Sequence, residues 1–520
     1  MKENDMSQLR GFLVTTFTLI FCLMLAAPLA AADTETDTLR VAEMWEIDSL
    51  DPAKEGTFVK EKALIAETLV NADPDFSLTP CLAESWSMVS DTEWEFTLRP
   101  NVTFQNGEPM TAETVAWALN RAMELNPTIA QLTKIVGIEV MGELALKITT
   151  SELYPPLPAT LVYPDTAIIH PDSGVNDQSI VIHPIGTGPY MLTEWRQAEQ
   201  TLTLTRYDGY WGDKPSIATI IYRSIPDPAT RSLEIQKGDI DFIVDAPYGD
   251  LDLLKQAGLE VVLASTARIY ELIFGSLHGT PYEDVRVRQA LSHAINRQEI
   301  VDYVLFGMGR PAAGMFEDTM VFANQELEPP AYDVELAKSL LAEAGWVDSD
   351  GDGVLDKDGQ DFAFTLYTYP QRPGLKPMAM AIQQQWAQIG LKVDVRIMEW
   401  DAILDALTPG DIRLSASATA MIPDPDYFLR RDYSSESGEN YWGYENPEVD
   451  ALLAQGSVEQ DVETRLDIYR RAQALIHDDQ PVLIVSYYGV NIVHKPEVQG
   501  FVFNPVAHDY MLNTGMYIEP

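Results

Sequence analysis

The stretch Thr201-Leu-Thr-Leu-Thr205 alternates apolar and polar positions with period two, as a strand buried on one face does. Leu39-Arg-Val-Ala-Glu-Met-Trp45 predicts a second strand, closed by the turn Asp48-Ser-Leu-Asp-Pro52. From Lys60 to Val70 the apolar residues Leu64, Ile65 and Leu69 fall at helical spacing and predict a helix. Strand pairs are predicted around Trp94–Leu98 and Leu144–Thr149, and between them Thr111-Ala-Glu-Thr114 opens a helix with a hydroxyl cap. From Gly186 to about Gly275 strands alternate with helices at Pro228–Lys237 and Asp250–Ala257. Past Pro281 the period lengthens. Val287, Ala290, Leu291, Ala294, Ile295 and Val301 recur at three- and four-residue steps and predict one helix over Val285–Phe306. Helices at Asp333–Ala344, Lys376–Ile389 and Glu463–His477 then alternate with strands Phe362–Tyr367, Lys392–Ile397 and Val482–Ser486. That alternation is the pattern of an α/β lobe.

The start of the chain follows a different logic. Lys2 and Arg10 flank an uncharged apolar run, Gly11 to Ala30, that ends in Ala30-Ala-Ala32 before Asp33. This is the make-up of a cleaved export signal, with an uncleaved anchor as the alternative. Phe21 before Cys22 does not suit lipoprotein processing, so the expected product is exported and periplasmic, without a lipid. Cleavage after Ala32 leaves 488 residues, enough for two or three domains, and leaves the net charge at −44. A chain so acidic lacks the cationic surface that a phosphate backbone requires, which excludes nucleic acid as a partner. Cys81 would be the sole cysteine of the mature chain, so neither an internal disulfide nor a cysteine-based zinc site is expected.

The turn chemistry centres on His183-Pro-Ile-Gly-Thr-Gly-Pro-Tyr190 and, after the alternating strand, Tyr210-Trp-Gly-Asp-Lys-Pro215. Around them stand Leu82-Ala-Glu-Ser-Trp86, Val102-Thr-Phe-Gln-Asn-Gly-Glu-Pro109, Asp227-Pro-Ala-Thr-Arg231 and Gly238-Asp-Ile-Asp241. Further on come Asp284-Val-Arg-Val-Arg-Gln-Ala-Leu-Ser292, Ala337-Lys-Ser-Leu-Leu-Ala-Glu-Ala-Gly345, Trp386-Ala-Gln-Ile-Gly-Leu391 and Asn446-Pro-Glu-Val-Asp450. As an ordered set, running from about Leu39 to Ile518, these stretches resemble the peptide/nickel-type (family 5) extracytoplasmic solute-binding proteins, the capture subunits of ABC importers.

That resemblance implies an α/β, two-lobed periplasmic-binding-protein fold, class II-like, with an extra satellite domain and a ligand cleft between the lobes. It places lobe I at 33–75, 186–280 and 487–520, the satellite at 76–185, and lobe II at 281–486, with crossovers near Gly275–Pro281 and Ser486–Val490. The implied function is capture of a peptide-like or other small organic ligand by a monomer that hands it to a membrane permease and its ATPase. A nickel or metal-chelate binder is the alternative within the class, and a peptide receptor or chaperone without an importer the alternative outside it.

The ligand-binding candidates are Trp45, Arg372, Met421, Asp424, Trp442 and His508. In peptide-binding relatives an Asp before the Asp-Pro-Asp segment holds the ligand's amino terminus; here that position is Met421, an apolar thioether. Glu46 or Asp424 could replace the missing acid, and Arg372, in Gln371-Arg-Pro373, resembles a carboxylate-binding arginine of the dipeptide branch. The arginine positions of the nickel branch fall on residues such as Leu125 and Pro164, and no histidine lies in Arg430 to Tyr444. These features imply an anionic or neutral ligand with an apolar portion.

The acidic loop Asp348-Ser-Asp-Gly-Asp-Gly-Val-Leu-Asp356 offers Asp348, Asp350, Asp352 and Asp356 at part of a calcium-loop spacing, but position twelve is Gly359 and the bidentate Glu is missing. A structural calcium and a solvated acidic turn both stay open; no other cofactor is expected. Gly-x-Ser-x-Gly, His-Glu-x-x-His and Gly-Lys-Ser motifs are absent, and the seven histidines are scattered, so the chain reads as a binder and not an enzyme.

Overall fold

The computed structural model describes residues 37–506 and 512–519, so the export signal and His508 lie outside the described residues. An 11-stranded sheet runs through both lobes. Across it ten strands follow the order Tyr190–Arg196, Thr201–Arg206, Thr219–Ser224, Thr38–Glu43, Phe242–Val244, Val482–His494, Glu260–Phe274, Ile412–Ala418, Ala363–Thr368 and Lys392–Ile397, and the eleventh, Arg310–Pro311, pairs with Val482–His494 off this path. Ala363–Thr368 pairs in parallel with Lys392–Ile397 across the helix Leu375–Ala387, and Thr38–Glu43 in parallel with Thr219–Ser224 across the intervening satellite. The period-two reading at Thr201 holds: Leu202 and Leu204 are fully buried.

The two long strands carry the chain from one lobe to the other. Glu260–Ser265 pairs with His494–Gly489, and Ile269–Ile273 pairs with Tyr487–Val482, with a register shift between. From Arg268 on, the same strand also pairs with Ile412–Ala418 of the second lobe. The passage thus begins near Ser265–Ile269, ahead of the Gly275–Pro281 segment expected to carry it. The reason is burial: every residue from Thr266 to Phe274 is buried, so the strand runs on without a break.

The satellite sheet orders Ala83–Ser90, Glu93–Leu98, Ala145–Thr150 and Ile135–Gly142, with the helix Ala112–Leu125 beside it. Thr111 caps that helix in a reciprocal capping box with Thr114. The satellite also touches the second lobe, where Leu132 and Ala159 pack on Ile422.

The Gly186–Pro189 turn is a docking device. A Cβ on Gly186 would lie 2.1 Å from the Ile65 carbonyl oxygen, and one on Gly188 2.3 Å from that of Leu64. Gln105 locks the contact, donating Nε2 to the Ile65, Gly188 and Tyr190 carbonyls while its Oε1 accepts from Gly186 N–H. This docking explains why the helix expected over Lys60–Val70 does not form. A short π-helical segment, Thr57–Lys62, ends there and Leu64 adopts φ 52°, which presents its carbonyl to the glycines. The helix expected over Val285–Phe306 likewise stops at His293, and Asn296 caps a new turn whose Arg297 is buried against the Ser292 and Ile484 carbonyls.

Candidate functional site

A cavity of about 280 Å³ opens where the long strands pass between lobes. The first lobe lines it with Trp45 and Glu46, which follow the strand Thr38–Glu43, and with Glu43, Glu55 and Lys62. Val244 and Val490 contribute apolar wall. Arg268, from the register shift, and Arg372, from the segment after Ala363–Thr368, supply two cations. The lining sets the acids Glu43, Glu46 and Glu55 and the cations Lys62, Arg268 and Arg372 among apolar wall, so convergent charged groups dominate a concave site.

Arg372 is 6 % exposed. Its Nη1 donates to Tyr488 Oη at 3.2 Å and to Asp245 Oδ2 at 3.3 Å, while Tyr488 Oη–H donates to the same Asp245 oxygen at 2.6 Å. The guanidinium carbon stands 5.3 Å from the Trp45 ring centre and 5.1 Å from that of Tyr488, a cation–π sandwich. Asp245 is fully buried with φ 50°, in the left-handed region that Asp tolerates better than most residues. Arg231 explains how the backbone stays there: it donates to the Val244, Asp245, Ile225 and Pro226 carbonyls. The Asp227-Pro-Ala-Thr-Arg231 motif is thus a support for the cleft, with Asp227 capping the helix that carries Arg231.

On the opposite wall, Glu43 is paired with Lys62 and accepts from Tyr222 Oη–H, all three buried. Glu55 faces the cavity, and desolvation by the cleft walls, then the charge of Asp48, raises its pKa.

Of the residues expected from sequence, Trp45 and Arg372 meet in this cavity. Met421 is half-buried against the core, next to the Ile422 contact with the satellite, and is not among the cavity's lining residues. Asp424 is committed elsewhere. It takes both Arg465 Nη groups, at 2.6 and 2.8 Å, and caps the helix Pro425–Tyr433, so it has no reach into the cleft. Trp442 is 4 % exposed and packs on Tyr433 and Tyr441 inside the second lobe. His508 lies outside the described residues. Asp245, Arg268, Glu43, Glu55, Lys62 and Tyr488 escaped sequence reasoning; the one usable signal was the strand-end position of Asp245, just after an apolar run.

In the acidic loop, one oxygen each from Asp348, Asp350 and Asp352 lies within 4.8 Å of the others, all exposed. Asp356 is not part of this trio: its carboxylate accepts from Ser349 N–H and Oγ–H, which holds its pKa below the usual range. No helix among the described residues is long and apolar enough to cross a membrane.

The model of the bacterial extracellular solute-binding proteins, family 5 Middle, matches residues 77–440. The nickel-binding periplasmic protein of Escherichia coli (strain K12) is 28 % identical over 521 residues, covering 95 % of this chain and 96 % of that protein. The oligopeptide-binding protein AppA of Bacillus subtilis (strain 168) is 31 % identical over 329 residues, 62 % of this chain and 60 % of its own. Among solved structures, NikA from Brucella suis in complex with Fe(III)-EDTA superposes with a TM-score of 0.82 at 26 % identity, covering 92 % of this chain and all of that one.

Proposed function

The chain belongs to family 5 of the bacterial extracellular solute-binding proteins, and on that premise we propose that it captures a small organic ligand bearing a carboxylate and delivers it to an ABC permease and its ATPase. It would do so as a monomer, exported with cleavage after Ala32. The observation that carries the ligand class is the cavity itself. Arg268 and Arg372 converge from the passage and the second lobe, facing Trp45, Glu46 and Glu55 of the first. A ligand carboxylate would sit toward the arginines, with its apolar part on Trp45 and the valines. Any cationic group it carries would face Glu46 and Glu55 of the first lobe.

A second reading is a metal chelate, favoured by the full-length match to the nickel-binding relative. Among the described residues the cavity lining contains no histidine or cysteine, and a metal held there would enter with its own chelator, whose carboxylates would meet the same arginines. One experiment tests both. Mass spectrometry and elemental analysis of what is released on denaturing the purified protein are expected to give a small carboxylate; stoichiometric nickel or another transition metal would replace the first reading by the second. Absence of any small molecule, with no thermal stabilisation by carboxylates or chelates, would remove both.

A further inference from the structure

We infer that Arg372 closes the cleft by docking into a socket built by the first lobe, and that Asp245 positions it there; this rests on reading the protein as a two-lobed capture device. The parts of the contact come from different bodies. Asp245 follows the first-lobe strand Phe242–Val244, Trp45 follows Thr38–Glu43, and Tyr488 sits on the passage strand between the register positions Tyr487 and Gly489. Arg372 comes from the second lobe, between the strand Ala363–Thr368 and the helix Leu375–Ala387.

The socket is rigid on one side only. Arg231 Nη2 holds the Asp245 carbonyl at 2.7 Å, and Asp245 N–H donates to the Asn491 carbonyl at 2.8 Å. The Asn491 side chain bonds both the N–H and the carbonyl of Ala246, at 2.9 and 3.0 Å. The Asp245 carboxylate therefore cannot travel, and any opening of the lobes moves Arg372 away from it. Opening would bring water to an acid that is fully buried and to an arginine that is 6 % exposed. Losing either partner of a buried ion pair is costly, because the remaining charge keeps its desolvation and gives up its opposite charge. Removing either partner thus favours the open form, in which the survivor is hydrated. The same contact occupies one edge of Arg372, so the ligand's carboxylate meets an arginine whose position depends on closure. Binding and closing are coupled at one side chain.

The test is small-angle scattering of the full mature protein without ligand, on wild type, Asp245→Asn, Arg372→Gln and the double variant. Asparagine tolerates the left-handed backbone and can still accept from Tyr488, so the first variant is expected to fold. Each single variant is expected to give a larger radius of gyration than wild type. The double variant is expected to give no more than either, since both remove the same contact. Arg372→Lys, which keeps the charge without the planar fork, should fall between wild type and Arg372→Gln. Unchanged radii with a lowered melting temperature would show a merely structural pair and overturn the inference, as would additive changes in the double variant. These readouts need no ligand, so failure of the capture reading would appear separately, as the absence of any bound small molecule.

Discussion

Of the buried aspartates that meet an arginine, Asp424 and Asp245 belong to pairs that are built differently. Asp424 and Arg465 both belong to the second lobe; they make two short parallel bonds, 2.6 and 2.8 Å, and the acid also caps a helix. Asp245 and Arg372 come from opposite lobes and meet at 3.3 Å, with Tyr488 bonded to both and rings beside the guanidinium. A fork-on-fork pair inside one packed lobe has a single state. A longer pair across a cleft, with its acid pinned and its arginine carried by the other body, has two. Partner identity alone would have given both pairs the same role.

The largest expected effect tests how far the second-lobe acids are purely structural. Burial raises the pKa of Glu271 to about 7 and that of Asp426, beside Asp424, to about 6. Each folded value lies above the unfolded one, so the protonated form is favoured by folding. Their contribution to stability is therefore present at low pH and lost as pH rises through the window from about 4 to 7. The melting temperature is expected to climb by several degrees between pH 8 and pH 5, and relief of self-repulsion at a net charge of −44 acts in the same direction. A melting temperature that is flat or falls over this range would count against these burial-driven shifts.

Next in size is the single-state pair. Asp424→Ala strands Arg465 in the interior, a loss of about 3–5 kcal/mol. Calorimetry should show a melting temperature lowered by about 5 °C with an unchanged radius of gyration. A loss of less than about 1 °C, or an expanded molecule, would erase the contrast between the two pairs.

The cross-lobe pair should show the reverse balance. Arg372→Ala is expected to weaken binding of the recovered ligand by about tenfold or more, through the lost carboxylate partner and the smaller closed population, while costing less stability than Asp424→Ala. Titration calorimetry decides it. Undiminished affinity would remove Arg372 from both ligand binding and closure.

Much of this was legible beforehand, and the gaps have physical causes. Lys392–Ile397 and Pro228–Lys237 form as their periodicity predicts, because local pattern and final burial agree there. Leu64, Ile65 and Leu69 looked helical because their spacing matches a helix face. The backbone at Leu64 and Ile65 is taken up instead by a turn more than a hundred residues away, a contact that no local window contains. Trp45 and Arg372 could be singled out through family resemblance. Asp245 could not: its place at a strand end was visible, but among 79 acidic residues that position does not say which one will be pinned beside an arginine of the other lobe. Asp424 stood in the right segment for a ligand role, but Arg465, on a helix 41 positions further on, claims it.

The smallest expected effect concerns acids that meet no arginine at all. Asp348, Asp350 and Asp352 point oxygens at one another in solvent, and backbone N–H groups supply what order they have: Gly351 and Gly353 donate to Asp348, Asp352 to Asp350, and Val354 to Asp352. A hard cation could share these oxygens. Asp356, though, is turned to Ser349, and Gly359 stands where a bidentate Glu would be, so few ligands remain and binding should be weak. At a calcium concentration ten times the dissociation constant, one site adds about 1.4 kcal/mol, which in a chain of this size is about 1–2 °C. A millimolar calcium titration is thus expected to raise the melting temperature by about that much. Chelator should reverse the rise and Asp350→Ala abolish it. If the curve ignores both calcium and chelator, the loop is a solvated turn whose carboxylates serve only their own backbone, a third way for an acid to be held in this protein.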